Sequence, residues 1–299
     1  MVLFTSVRPL ERAENLKAVY DAYDGDKEFV KRTDGKPIPG MHSGKYRLVV
    51  TDCTIEESPG KYLWINHGMG AGKKVGLQHP TYPFHRSDLV TNAIASSEQM
   101  IPHVARVLGI SESQVIPLGM PRTDNYFKLK KKESDRKQYL YVPTFRGYKD
   151  WIPEFGTISR GLVDGEEFIV KPHMVTKHLL DKERDHVIER SSDIPSTESL
   201  VNADVVITDF SSIMFDAMVL RKPVVLFAKD RFKYMRLRGM YYQYPEEYSD
   251  YFCDSENELA NLIRNARWTP RMEELRNFYC GACDGHSVER CIELIKGML

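Results

Sequence analysis

Apolar positions along the chain fall into short runs of strand length that alternate with stretches spaced for helices. Runs at 2–6, 47–51, 61–66, 89–95 and 115–117 predict strands. Helices are predicted at 11–23 and 98–108, where Met100, Val104, Val107 and Leu108 keep the 3.6-residue period. The stretch 35–44, rich in glycine and proline, reads as a loop. The pattern then restarts, with strands expected at 138–142, 167–171, 186–189, 204–208 and 223–227. The segment 211–220 is apolar nearly all round, the pattern of a helix buried on more than one side. Strand–helix alternation of this kind builds parallel α/β sheets. The expected architecture is two Rossmann-like domains facing a cleft: an N-terminal domain over 1–127, a basic linker over 128–137 and a C-terminal domain over 138–299.

Composition narrows the class. The 299 residues carry 42 Lys+Arg against 42 Asp+Glu, so net charge is zero, which argues against a dedicated nucleic-acid binder. No apolar stretch approaches the ~18 residues of a membrane span, and Arg8, Glu11 and Arg12 arrive too soon for a signal peptide. A cytoplasmic protein is expected. At most it makes peripheral membrane contact through the basic run that holds Lys128, Lys130, Lys131, Lys132, Arg136 and Lys137. The five cysteines read as reduced thiols. Cys280, Cys283 and Cys291 lack a clear fourth ligand beyond His286, so buried thiols are expected there and no metal.

Three constellations can carry chemistry. In the first, a strand delivers His67 into a glycine-rich turn with Gly68, Gly70, Gly72 and Lys73. It fits neither Walker A nor the Rossmann fingerprint, and it is either a phosphate-facing loop or simply a tight turn. The second is Lys171-Pro172-His173. Pro172 ends the strand, so His173 stands just past its C-terminal tip, the edge where open α/β sheets bind ligands. The third is Thr208-Asp209-Phe210-Ser211-Ser212, between a buried strand and a buried helix. Its serines are expected to cap the helix and to present a phosphate site at its start. Asp216, one turn further on, needs a partner in so apolar a helix.

In order along the chain these motifs resemble the CDP-glycerol glycerophosphotransferase family of teichoic-acid and capsule synthesis. The resemblance spans roughly 60–295. It rests on His67-Gly68, Gly119–Asp124, Tyr141–Arg146, Lys171–His173, Thr208–Asp216 with Lys222-Pro223-Val224, Arg238–Tyr241 and Asp284–Arg290. It implies a GT-B-like fold with the activated donor on the C-terminal half, and catalysis without bound metal or cofactor. His67 matches the candidate catalytic base, and His173 the histidine at the donor's diphosphate. Lys171, Thr208, Asp209, Ser211, Ser212, Thr144, Arg146, Arg122 and Arg238 are the expected donor-binding set. Gly68, Gly70 and Lys73 form the acceptor-side loop, where Met69-Gly70 replaces the family's Thr-Pro.

The expected activity is transfer of a polyol-phosphate, glycerol-phosphate first, from a CDP-activated donor to an acceptor hydroxyl with release of CMP. The acceptor would be a lipid-linked saccharide, a polyol-phosphate chain or a capsule glycan. Two alternatives stay open. One is a GT-B glycosyltransferase that uses a nucleotide-sugar; the other is a non-catalytic protein that keeps the diphosphate cradle.

Overall fold

The computed structural model describes residues 1–33, 38–41, 43–53, 60–66, 72, 74, 87–144, 146, 155–172, 187–189 and 196–299. They form two compact units, one of residues 1–127 with 277–299 and one of residues 128–276.

In the first unit a parallel sheet has the order β2-β1-β3-β4-β5-β6. Its strands are β1 (Val2–Ser6), β2 (Lys27–Lys31), β3 (Leu48–Thr51), β4 (Lys61–Trp64), β5 (Asn92–Ile94) and β6 (Val115–Ile116). The central strands β1 and β3 are buried throughout, as strands covered on both faces must be. Helix α1 (Glu14–Ala22) turns Leu16 and Val19 onto Val2, Phe4, Leu48 and Val50. Helix α2 (Ile101–Leu108) follows a short 3-10 turn whose first donor, the Met100 N–H, is taken by Ser97 Oγ at 3.2 Å.

The second unit repeats the plan with the order β12-β11-β10-β7-β8-β9, again all parallel. Its strands are β7 (Lys137–Val142), β8 (Glu166–Val170), β9 (Val187–Glu189), β10 (Val205–Thr208), β11 (Val224–Phe227) and β12 (Tyr251–Cys253). Between and after them lie α3 (Phe155–Arg160), α4 (Ser196–Asn202), α5 (Ile213–Val219), α6 (Arg231–Leu237), α7 (Glu256–Asn265) and α8 (Pro270–Cys280). Tyr139, Tyr141, Phe168, Val205, Ile207, Val225 and Phe227 form one face of the sheet, packed against Ile158, Leu259 and Ile263. Counted within the unit the strand order is 3-2-1-4-5-6, so its direction reverses between β7 and β10.

Two features depart from the sequence reading. The second domain was carried through to 299, yet residues 277–299 join the first unit. The last helix, α9 (Ser287–Met298), adds Cys291, Ile295 and Met298 to the core around β1 and β3. Its N-terminus is held by Asp124, which accepts from the Ser287 N–H at 3.1 Å and the Val288 N–H at 2.7 Å. Arg290 donates to the Leu118 carbonyl from Nε and Nη2 at 3.1 and 3.0 Å and pairs with Asp284. The second feature concerns 128–137, read as a linker. It lies on the second unit: Lys131 pairs with Asp204, Lys132 with Glu198 and Arg136 with Glu167, and Lys137 already opens β7.

Cys280, Cys283 and Cys291 are buried free thiols. Burial pushes the Cys291 thiol up to about 12. Among the described residues no helix is long and apolar enough to cross a membrane.

Candidate active site

Parallel sheets bind ligands beyond the carboxyl ends of their strands, where the strand order reverses. In the second unit that point lies between β7 and β10. β7 runs out into Pro143-Thr144, with Arg146 two residues further on, and β10 into Asp209-Phe210-Ser211-Ser212. β8, next to β7, ends at Val170 and leads to Lys171, and β11, next to β10, leads to Asp230 at the start of α6.

Asp209 is fully buried and ties the two loops together. Its Oδ1 and Oδ2 accept from the Thr144 N–H at 2.9 and 3.1 Å, and Oδ1 also accepts from the Phe210 N–H at 2.6 Å. Arg146 Nη2 lies 2.9 Å from Asp209 Oδ2. The same guanidinium forks onto Asp230, Nε to Oδ2 at 2.7 Å and Nη2 to Oδ1 at 3.0 Å, while Nη1 donates to the Thr144 carbonyl at 2.9 Å. Phe210 and Tyr234 stack with centroids 3.8 Å apart, and the Arg146 guanidinium lies 5.0 and 4.9 Å from their rings.

Burial opposes the Arg146 charge, yet its hydrogen bonds to Asp230 and the Asp209 charge raise its pKa above the ordinary arginine value. A buried charge survives only when paired and hydrogen-bonded in this way. Around this clamp the Thr144 Oγ1 and the Tyr244 hydroxyl are buried with no hydrogen-bond partner among the described residues. Burial and the nearby Asp209 charge push the Tyr244 phenol well up, so it stays a neutral donor. Such orphaned polar atoms are uncommon in native proteins and are satisfied when a ligand reaches them.

The structure therefore brings Thr144, Arg146, Thr208, Asp209, Ser211 and Ser212 to one sheet edge. Thr208 serves the scaffold, donating from Oγ1 to the Val142 carbonyl at 2.6 Å and locking β10 to β7. Lys171 is buried, its N–H bonded to the Tyr141 carbonyl at 2.8 Å. Of the two serines expected to cap α5, Ser211 Oγ accepts from the Ile213 N–H at a long 3.4 Å, and Ser212 makes no side-chain capping bond. Both are only half-buried. Arg238 ends α6, its N–H on the Tyr234 carbonyl at 2.8 Å.

Arg122 belongs to the first unit, apart in the chain from the rest of the donor set. Its N–H donates to Asn15 Oδ1 at 3.0 Å, and Asn15 Nδ2 donates to the Asn66 carbonyl at 2.6 Å. His67, Gly68, Gly70, Lys73 and His173 lie outside the described residues. Asp230 and Tyr234 were not anticipated. The signal for Asp230 was its place, three residues past the apolar run that forms β11, at the edge already singled out for the other loops.

Residues 43–297 match the profile of the CDP-glycerol:poly(glycerophosphate) glycerophosphotransferase family. The chain is 28% identical over 265 residues to a teichoic acid poly(ribitol-phosphate) polymerase of Bacillus spizizenii, covering 78% of this chain and 42% of that protein. It is 26% identical over 277 residues to a teichoic acid glycerol-phosphate primase of Bacillus subtilis, covering 84% of this chain and 72% of the primase. It thus spans less than half the length of the polymerase it matches. Among solved structures, a variant of the wall teichoic acid polymerase TagF superposes with a TM-score of 0.78 at 19% identity, covering 99% of this chain and 89% of that one. The fold is thereby the GT-B-like one. With the family profile matched across 43–297, the chain belongs to the CDP-glycerol:poly(glycerophosphate) glycerophosphotransferase family.

Proposed function

We propose that this chain transfers a polyol-phosphate, glycerol-phosphate first, from a CDP-activated donor to an acceptor hydroxyl during wall or capsule polymer synthesis. The observation that carries the reading is the Asp209–Arg146–Asp230 clamp, with Asp209 and Arg146 buried, at the reversal of strand order in a chain of this family. The clamp does not consume the donor; it fixes the loops that meet it. Arg146 has its donors committed to protein atoms, so it acts as a positioning residue. The Thr144 hydroxyl and the half-buried Ser211 and Ser212 meet the diphosphate, together with Lys171, His173 and Arg238, which the family resemblance assigns to it. A crystal soak named for CDPG among the TagF structures supports a CDP-linked donor.

In the reaction the acceptor oxygen attacks the distal phosphorus, the bond to the CMP oxygen breaks, and its electron pair departs with CMP. His67 takes the hydroxyl proton, help worth roughly 10²–10⁴ in rate. Lys171 and His173 balance charge on the departing CMP. The acceptor is a lipid-linked saccharide or a growing polyol-phosphate chain. The enzyme works at the cytoplasmic face with peripheral contact at most and without a metal.

The test is CMP release from CDP-glycerol plus acceptor, in EDTA, by the wild type and two variants. His67→Ala is expected to lower kcat with donor KM little changed, and His173→Ala to disturb donor handling as well. No release from any CDP-polyol, with a nucleotide-sugar consumed instead, overturns the donor assignment and favours the glycosyltransferase reading.

A further inference from the structure

The first sheet has a reversal of its own, between β1 and β3, because β2 lies on the far side of β1. No motif of the resemblance covers this edge. The chain leaves β1 through Val7-Arg8 and leaves β3 through Asp52-Cys53. Asp52 is 3% exposed, and Arg8 Nη1 donates to its Oδ2 at 3.2 Å. Arg8 is also held at its backbone, where its N–H donates to Ser6 Oγ at 3.0 Å.

Among the described residues the rest of the Arg8 guanidinium, Nε and Nη2, takes no partner, and the side chain is 37% exposed. The other oxygen of Asp52, Oδ1, is buried without a hydrogen-bond partner among the described residues. Arg32, directly after β2, donates its N–H to the Ser6 carbonyl at 2.7 Å and brings a second cation to the edge. Burial pushes the Asp52 carboxyl up against the opposing pull of Ser6 and Arg8, so this pair sits where a charge is costly to keep.

A guanidinium tethered by one donor while its remaining fork faces outward is pre-organised for a phosphate oxygen pair. An unsatisfied carboxylate oxygen beside it accepts a hydroxyl. Anion and hydroxyl at that spacing are the two groups of a polyol-phosphate. We propose that Arg8, positioned by Asp52, binds a phosphate of the acceptor at the reversal point of the first sheet, with Asp52 receiving a polyol hydroxyl. This rests on the transferase reading for the meaning of the ligand, though not for the existence of the site.

Calorimetric titration tests it directly, without turnover. The probes are glycerophosphoglycerol, diglycerol as its uncharged counterpart, and CDP-glycerol, each against wild type, Arg8→Gln, Arg8→Lys and Asp52→Asn. Wild type is expected to bind glycerophosphoglycerol and not diglycerol. Arg8→Gln is expected to weaken glycerophosphoglycerol at least tenfold while CDP-glycerol changes less than twofold. Arg8→Lys keeps the charge without the fork and loses about three- to fivefold; it also stands in if Arg8→Gln melts early from the unpaired Asp52. Asp52→Asn should fall between wild type and Arg8→Gln.

Equal binding of glycerophosphoglycerol by wild type and both Arg8 variants, or none by wild type, overturns the site. Equal weakening of CDP-glycerol would place Arg8 with the donor and overturns it too. If CDP-glycerol fails to bind wild type while glycerophosphoglycerol binds through Arg8, the site stands and the donor reading falls.

Discussion

At the scale of single residues, Arg146 shows how a side chain at the candidate site can be committed to protein atoms. Its charge is balanced by Asp209 and Asp230, so truncation removes the guanidinium that the buried Asp209 and the half-buried Asp230 share. Arg146→Ala is expected to lower the stability of the second unit by about 3–5 kcal/mol, the usual cost of breaking a buried pair from one side. Arg146→Lys keeps a charge but cannot fork onto Asp230, and should fold with weakened donor binding. Urea denaturation and CDP-glycerol titration separate the two outcomes; an unchanged midpoint for Arg146→Ala contradicts the clamp. Glu166 gives a pH-dependent counterpart. Burial alone would raise its carboxyl, but hydrogen bonds from Arg264 and Tyr139 and from the Val163 N–H bring it from its ordinary 4.5 to about 2. A depressed carboxylate contributes stability in full above its unfolded pKa and loses it as pH falls through the folded one. About 2 kcal/mol should therefore disappear between roughly pH 5 and pH 2. Glu166→Gln should flatten that part of the stability–pH curve; an unchanged slope would mean the pair is not formed.

Among elements, the decisive one is α9. Its own N-cap residue, His286, makes no side-chain capping bond, and the cap comes instead from Asp124, which is buried and far away in the chain. Two charge-assisted bonds from a carboxylate to a helix start are worth more than an ordinary local cap. Asp124→Ala is expected to cost about 2 kcal/mol, with Asp124→Asn between it and wild type. Thermal melting checks this, and hydrogen exchange should show α9 opening first. Gly119 belongs to the same contact. Its φ is +84°, and a Cβ there would meet the Ala282 carbonyl and Ser287 Oγ, so Gly119→Ala should be destabilising as well. Two of the segments that carry the resemblance to the family, 119–124 and 284–290, thus serve to fasten a helix.

For the whole molecule, the return of residues 277–299 makes the first unit discontinuous in sequence. Truncation after Arg276 would strip Cys291, Ile295 and Met298 from the core around β1 and β3. The first unit of that fragment is expected to lose cooperative melting while the second, which keeps its own sheet, retains it. Limited proteolysis distinguishes the cases, and equal protection of both units would contradict the packing. The basic run also changes its meaning at this scale. With Lys131, Lys132 and Arg136 paired to Asp204, Glu198 and Glu167, it offers an anionic membrane less charge than its composition promised. Vesicle binding should be weak and abolished by salt; binding that survives high salt would require an apolar anchor elsewhere.

The sequence by itself determined the parallel α/β alternation, the two sheets and the loops at their carboxyl ends. Each of these is written in a short window: a buried run of five residues such as 2–6, a proline at 172 that stops a strand, a capping serine at 97. It missed β2 and β12, which are edge strands and carry charged or half-exposed residues in place of a continuous apolar run. Only the tertiary structure decided which loops meet. Strand order puts the ends of β7 and β10 side by side, and that makes Asp209 the anchor of Thr144, 65 residues earlier. Packing of α9 on the first sheet likewise gives Asp124 a helix start 163 residues later. A buried carboxylate selects its partner by position and desolvation, neither of which is a property of its neighbours in the chain.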